Sequence, residues 1–218
     1  MVPFAGYQMP VSYPAGILAE HQHTRQRSSL FDVSHMGQLE VRGDDCARLL
    51  ESELPVDLLA LGPGRQKYAW LLNDEGGIRD DLMAINRGDH FLLVVNAACK
   101  HADLAYLESR LGGKLSLNLR DDLALLALQG PESANVMTSV GADVDIVKQM
   151  KFMHVADRRL AGHDCIVSRS GYSGEDGFEI SVAAGAAESL AESLLAHPSA
   201  TPAGRPGTAP RAGAAAAA

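Results

Sequence analysis

Apolar residues recur along the chain with two spacings, one helical and one alternating, and each predicts a different kind of element. Helical spacing predicts helices over residues 15–26, 47–54, 104–111 and 184–196, with a further helix opened by Pro131. Alternation and short apolar runs predict strands at residues 37–41, 68–72, 82–85, 90–95, 123–128, 155–160, 165–168 and 178–182. Because strands and helices do not alternate regularly, we predict an α+β fold with mixed, largely antiparallel sheets and flanking helices.

The segment NDEGGIRDDL at residues 73–82 combines a turn with two adjacent carboxylates. Gly76 and Gly77 are expected to supply the positive backbone angles of a hairpin turn, so Asp80 and Asp81 fall on the returning strand. Successive strand residues point to opposite faces, and only one of the two can therefore face the interior or a cleft. A carboxylate placed there is costly unless it is paired or used. The alternative is that both lie at a solvated strand end.

Two further candidates lie at strand boundaries. Asn96 follows the strand at 90–95, where it either caps the next helix or contacts a ligand. The motif FDVSHM at 31–36 places His35 and Met36 just before a strand. His35 has the chemistry of a general base, although a hydrogen-bonded structural histidine is more common. Met36 is more often a core residue than a ligand contact.

A glycine-rich loop at residues 171–177 leads into the strand at 178–182. Its glycines allow the backbone to approach a ligand closely, and the ring of Tyr172 can stack on a planar heterocycle. Glu179 faces away from Phe178, and a buried glutamate can accept two parallel hydrogen bonds from an amino-pyrimidinone edge. The alternatives are an acidic loop that binds nothing and a weak calcium site, although the loop lacks EF-hand spacing.

Composition narrows the function classes. The net charge is −8 without a block of Lys or Arg, which argues against a nucleic-acid partner. No apolar run has membrane-spanning length and no signal-peptide pattern opens the chain, so we predict no membrane partner and a cytoplasmic location. The three cysteines form no CxxC pair and the eight histidines form no recognisable metal pattern, so we predict no metal site.

From residue 198 onward the chain contains only Pro, Ser, Ala, Thr, Gly and Arg. Because none of these is a large apolar residue, we predict a disordered low-complexity tail over 198–218. The folded region is then 1–197, as two interleaved subdomains. The same residues are encoded by codons rich in guanine and cytosine, so a shifted reading frame is a second explanation of the tail.

Taken together, these segments resemble the aminomethyltransferase family, the T-protein of the glycine cleavage system. The matching stretches occur in the family order and are MVPFAGY at 1–7, MPV at 9–11, SLFDVSHM at 29–36, 73–82, 94–98, 124–131 and 171–182. The family pattern continues past Gly204 with a segment of the type LGARDxLRLE, from which this chain departs at Arg205. We therefore predict a truncated or frameshifted sequence after about residue 204.

The resemblance implies a tetrahydrofolate-dependent enzyme. Its reaction would move the methylene carbon from the aminomethyl-dihydrolipoyl arm of the lipoylated H-protein to tetrahydrofolate and release ammonia. The resemblance makes Asp81 the catalytic carboxylate, which suits the chemistry because an anion can orient an amine and stabilise developing positive charge. The residues that it places around the folate are Glu179, Tyr68, Asn96, Tyr172, Met36 and Val94.

Three other functions fit parts of the sequence. A folate-using domain of a sarcosine- or dimethylglycine-oxidising enzyme is disfavoured because the chain has no dinucleotide fingerprint. A folate-binding relative that assists iron–sulfur assembly is expected to lack the Asp-Asp hairpin and to carry a cysteine motif. The last alternative is an inactive or folate-binding-only fragment.

Overall fold

The computed structural model describes residues 1–9 and 11–204. The chain forms two compact units, and the first is discontinuous. Unit 1 combines Met1–His35 with the segment that begins at Asp122, and unit 2 is Met36–Asp121. Among the described residues, none of the helices has both the length and the apolar character needed to cross a membrane.

The strands and helices come in a mixed order along the chain. They are β1 (Val2–Phe4), β2 (Tyr7–Met9), α1 (Ile17–Gln26), β3 (Ser28–Asp32), β4 (Gly37–Arg42), α2 (Cys46–Glu51), β5 (Arg65–Leu72), β6 (Ile78–Asn86), β7 (Phe91–Val95), α3 (Lys100–Leu111), β8 (Ser116–Leu119), β9 (Leu123–Gln129), α4 (Ser133–Ser139), α5 (Val144–Gln149), β10 (Val155–Leu160), β11 (His163–Ser168), β12 (Gly177–Ala183), α6 (Ala187–Leu195) and β13 (Ala200–Pro202). A short 3-10 turn at Ala184–Ala186 precedes α6.

Unit 1 is built on a six-stranded sheet in the order β10-β11-β12-β9-β3-β13. All neighbours are antiparallel except β13 and β3, which run parallel. Alternate residues of β9 and β12, such as Leu126 and Phe178, pack on Val136 of α4 and Leu190 of α6. A separate hairpin joins β1 to β2.

Unit 2 is built on a five-stranded antiparallel sheet in the order β5-β6-β7-β4-β8. One face of this sheet packs on α2 and α3, and its core includes Leu50, Leu82, Leu93 and Leu107. The opposite face carries the side chains that alternate with these core positions. The two sheets and their helices confirm the predicted α+β class with largely antiparallel, mixed sheets.

The predicted tail boundary at residue 198 is wrong for residues 198–204. Residues Ala200–Pro202 form β13 beside β3, and the backbone N–H of Gly204 donates to Glu20 Oε2 at 2.8 Å. Ala203 is 1% exposed. Small side chains do not prevent this packing, because the contacts are made by the backbone. The remainder of the predicted tail, 205–218, lies outside the described residues.

Replacement of a buried leucine should weaken unit 1 far more than replacement of an exposed one. Leu126 is 2% exposed in the core and Leu18 of α1 is 70% exposed. We expect Leu126→Ala to lower the free energy of unfolding by about 2–5 kcal/mol and Leu18→Ala to change it by less than about 0.5 kcal/mol. Urea unfolding followed by circular dichroism measures both, and equal effects would contradict the assignment of the core.

Candidate functional site

The turn between β5 and β6 is organised by one asparagine. The Asn73 side-chain oxygen accepts hydrogen bonds from the N–H groups of Glu75 at 3.1 Å and Gly77 at 2.7 Å. Gly76 has φ +78°, as predicted, but Gly77 does not have a positive φ. Gly77 is needed for close approach instead, because a Cβ there would lie 3.0 Å from the Asn73 side chain.

An irregularity in the β5–β6 pairing sets which aspartate points inward. Leu71 pairs with Asp80, whereas Leu72 pairs with Ile78, so Arg79 is the additional residue of a bulge. After the bulge Asp80 shares the face of Leu82 and is 6% exposed. Asp81 lies opposite Trp70 on the other face of the sheet and is half-buried. The prediction that only one carboxylate faces inward is therefore correct, and the inward one is Asp80.

Asn96 joins the two carboxylates. Its backbone N–H donates to Asp80 Oδ2 at 3.0 Å. Its side-chain Nδ2 lies 2.9 Å from Asp80 Oδ1 and 3.0 Å from Asp81 Oδ1. The prediction that Asn96 caps the following helix is wrong, because α3 begins at Lys100 and its N-cap residue is Cys99. The amide is instead used to hold two adjacent anions at the end of β7.

Tyr68 and Trp70 extend this group along β5. The Tyr68 hydroxyl donates to Asp81 Oδ2 at 3.1 Å, and Trp70 Nε1 donates to the Tyr68 oxygen at 3.2 Å. The rings meet edge to face with centroids 6.1 Å apart. Tyr68 is 43% and Trp70 46% exposed, so β5 has one open face. Trp70 was not predicted as a site residue, although its alternation with Tyr68 was a usable signal.

Val94 lies in the same sheet, and Met36 lies just before one of its strands. Val94 pairs with Met83 of β6, and Met83 pairs with Tyr68, so these three side chains form one row on the face that carries Asp81. Met36 is half-buried immediately before β4. Unit 2 thus brings Asp81, Asn96 and Tyr68 into one hydrogen-bonded group and places Val94 in the same row as Tyr68.

Behind Asp80 lies a second acidic side chain that the sequence did not single out. Asp103 of α3 is 1% exposed, and Asp80 is 6% exposed. Ligating atoms of Asp80, Cys99 and Asp103 all lie within 4.8 Å of one another. Asn96 donates a hydrogen bond to each oxygen of Asp80, so this buried carboxylate has polar partners within the protein.

Glu179 lies in unit 1, on β12. It alternates with Phe178 and Ile180, which are buried in the core, so its side chain is on the other face of the six-stranded sheet. Burial raises the pKa of Glu179, and a hydrogen bond from the Ser170 hydroxyl to Oε2, 2.6 Å long, opposes that shift. Glu179 is therefore a half-buried carboxyl group that accepts a hydrogen bond from the Ser170 hydroxyl.

The glycine-rich loop wraps around the side chain of Gln129. Gln129 Nε2 donates to the Ser170 carbonyl at 3.0 Å, and the Ser173 hydroxyl donates to Gln129 Oε1 at 2.9 Å. A Cβ at Gly171 or Gly177 would overlap the Gln129 amide. These two glycines therefore allow the loop to approach a protein side chain, which is a different use from the predicted approach to a ligand.

The acidic residues of the loop are paired. Asp176 is held by two bonds from Arg169, 2.8 Å from Nε and 2.6 Å from Nη2. Glu175 lies 3.0 Å from the Arg25 guanidinium. These pairs remove the crowding of negative charge on which the calcium alternative depended. Tyr172 is 75% exposed on this loop.

Two other features of unit 1 lie apart from the predicted residues. His35 is buried and meets the rings of Phe4 and Tyr7 edge-on, at centroid distances of 5.8 and 6.1 Å, which favours a structural role. A groove of about 460 Å³ is lined by residues that include Arg159 and Ser181 and does not include a predicted site residue.

A half-buried carboxylate held by an amide and a phenol, on an α+β scaffold, defines a candidate active site in unit 2. The family described as the GCVT N-terminal domain matches residues 1–209. The chain belongs to this family, which agrees with the resemblance noted in the sequence.

Curated relatives of known name support the same assignment. The mitochondrial aminomethyltransferase of Dictyostelium discoideum is 46% identical over 204 residues, which cover 90% of this chain and 50% of the relative. The aminomethyltransferase of Rubrobacter xylanophilus is 42% identical over 208 residues, covering 94% and 54%. The chain spans about half the length of the curated relatives it matches.

Solved structures of two proteins have a similar fold. The glycine cleavage system aminomethyltransferase T from Bartonella henselae matches with a TM-score of 0.87 and 40% identity, over 94% of this chain and 55% of that one. The heterotetrameric sarcosine oxidase from Corynebacterium sp. U-96 matches with a TM-score of 0.58 and 21% identity, over 82% and 89%. At that identity the second match shows a shared fold alone.

Replacement of Gly171 should be harmful only while Gln129 is present. Gly171→Ala introduces a methyl group that meets the Gln129 amide, and we expect a destabilisation of about 1–3 kcal/mol. In a Gln129→Ala background the space is open, so the added cost should fall to under about 0.5 kcal/mol. Thermal unfolding of the original chain, the two single variants and the double variant gives the coupling free energy. Additive effects of the two changes would show that the loop does not depend on Gln129.

Proposed function

We propose that this chain takes part in tetrahydrofolate-dependent aminomethyl transfer in the glycine cleavage system. The methylene carbon would pass from the aminomethyl-dihydrolipoyl arm of the lipoylated H-protein to tetrahydrofolate, with release of ammonia. The observation that carries the proposal is the half-buried Asp81 carboxylate, held by Asn96 and Tyr68. Membership of the GCVT N-terminal domain family and the names of the relatives support the reaction class.

Asp81 is the catalytic carboxylate in this proposal. Tetrahydrofolate, when bound, supplies the amine nitrogen that accepts the methylene carbon. The Asp81 carboxylate would orient that amine and stabilise the positive charge that develops as ammonia leaves. Asn96 and Tyr68 fix the rotamer of the carboxylate through one hydrogen bond to each oxygen, so the anion does not have to be ordered during the reaction.

The residues that the family resemblance indicated are proposed to bind the folate. In unit 2 these are Tyr68, Asn96, Val94 and Met36. In unit 1, Glu179 has the chemistry to read the amino-pyrimidinone edge of the pterin, because a carboxylate accepts two parallel hydrogen bonds. Its fit rests on its half-buried position and its raised pKa, since two N–H donors would stabilise the charged form that burial disfavours.

Other parts of the proposal stay predictions. The exposed ring of Tyr172 is available to stack on the folate. The folate-binding region is proposed to span 1–197, and the location in the cytoplasm is predicted from the sequence. The H-protein is proposed as the protein partner because this reaction class requires its lipoyl arm.

Asp81→Asn should separate transfer from binding. The amide keeps the shape of the side chain but removes the charge, so we expect the transfer rate of the 218-residue chain to fall by about 100-fold or more, with tetrahydrofolate affinity unchanged within about twofold. Ammonia release from aminomethylated H-protein and equilibrium folate titration measure the two quantities. Asp164→Asn, at an exposed position of β11, is the matched control. Full turnover in Asp81→Asn would remove Asp81 from the mechanism.

Glu179→Gln should show the opposite pattern. Glutamine replaces one acceptor oxygen by a donor that faces a donor of the pterin, so we expect tetrahydrofolate to bind about 10- to 100-fold more weakly. Glu188→Gln on the exposed side of α6 should leave the affinity unchanged. If the original chain, Glu179→Gln and Glu188→Gln bind tetrahydrofolate with equal affinity, Glu179 does not contact the ligand.

A further inference from the structure

Asp80 and Asp103 form a buried pair of carboxyl groups. They are 6% and 1% exposed, and a carboxyl oxygen of each lies within 4.8 Å of the other. Two ionised carboxylates so close in a buried place repel each other and offer acceptor atoms only, whereas one proton between them lets them hydrogen-bond. The pair therefore carries one negative charge rather than two.

The surroundings decide which of the two keeps the proton. Asp80 accepts the backbone N–H of Asn96 at 3.0 Å and the side-chain amide at 2.9 Å. Both oxygens of Asp80 thus act as acceptors, as the oxygens of an ionised carboxylate do. Asp103 Oδ2 is buried and has no hydrogen-bond partner among the residues that the structure describes. An oxygen in that position is tolerated more easily on a neutral acid than on an anion, so Asp103 is the protonated member.

The charged neighbours of Asp103 agree with this assignment. The pKa of Asp103 is raised to about 7, first by burial and then by the neighbouring Asp80, and the charge of Arg79 opposes the shift. Burial also raises the pKa of Cys99, the N-cap residue of α3, so its thiol stays neutral. Strand β8, which packs on α3, carries no ionisable side chain.

We propose that Asp103 is a positioning residue for the transfer reaction: its proton binds it to Asp80, and Asp80 in turn holds Asn96 in place against Asp81. This inference rests on the proposed function only for its catalytic consequence. Loss of the proton would leave two anions in apolar surroundings, and their repulsion would displace Asp80 from Asn96. Asp81 would then lose the donor that fixes one of its oxygens.

The direct test uses nitrogen-15 NMR of the whole 218-residue chain between pH 5 and 8.5, in EDTA so that no divalent cation replaces the proton. We expect the side-chain amide signals of Asn96 to shift with a midpoint at about pH 7. In Asp103→Asn the amide donates to Asp80 at every pH, and the Asn96 signals should stay constant. Asp121→Asn, an exposed change in the same unit, should titrate as the original chain does.

Two results would overturn the inference. One is that the Asn96 amide signals of the original chain do not shift with pH. The other is that the Asn96 signals of Asp103→Asn shift with pH as those of the original chain do. If Asp103→Asn does not fold, carbon-13 labelling of the aspartate carboxyls decides, because the Asp103 signal of the original chain must titrate with the Asn96 signals.

The catalytic consequence is tested separately, so its failure is distinguishable from failure of the proposed function. If the chain catalyses aminomethyl transfer, its kcat should fall as pH rises through about 7, with an unchanged KM for tetrahydrofolate. In Asp103→Asn this fall of kcat with pH should be absent. A kcat that is flat while Asn96 titrates overturns the positioning role. A chain whose Asn96 titrates but which transfers nothing keeps the proton assignment and contradicts the proposed function.

Discussion

The arrangement of unit 2 depends on the amide of Asn96 between two carboxylates that are adjacent in sequence. Asp80 and Asp81 point to opposite faces of one strand, and Asn96 reaches both because it stands where β7 ends beside that strand. A neutral amide supplies donors to both anions without adding charge. The inward carboxylate is thereby satisfied and the outward one is oriented while remaining half-buried. The chemistry proposed for Asp81 needs both properties at once.

Side-chain amides also hold the backbone in place at two other points in the chain. Asn73 folds the turn that delivers the aspartates, and Gln129 holds the glycine-rich loop that precedes Glu179. In each case the amide bonds backbone groups that the local sheet leaves unpaired. Glycines sit next to these amides because a Cβ would meet them. The rigid parts of both units are thus fixed by polar contacts as well as by the leucine-rich cores.

Much of this was predictable because local patterns determine it. Spacing and turn chemistry predict the hairpin, the strand at 123–128, the helix ending at Gln26 and the opposite orientations of Asp80 and Asp81. Other features depend on contacts distant in sequence. Asp103 is one polar residue on an amphipathic helix until α3 is packed behind Asp80, and Ala200–Pro202 becomes a strand only through its pairing with β3. Apart from the position of Gln129 before Gly130, nothing in the sequence indicated that its side chain holds the loop.

Asp81 is proposed to act on the folate amine, and a crystal structure of the chain with tetrahydrofolate bound tests this role most directly. We predict an Asp81 carboxylate oxygen at hydrogen-bond distance, roughly 2.6–3.2 Å, from the folate nitrogen that accepts the carbon. Both bonds of Asn96 to the aspartates should be retained. A folate bound with Asp81 facing solvent, or contacting neither Asp81 nor Glu179, would contradict the assignment of the site.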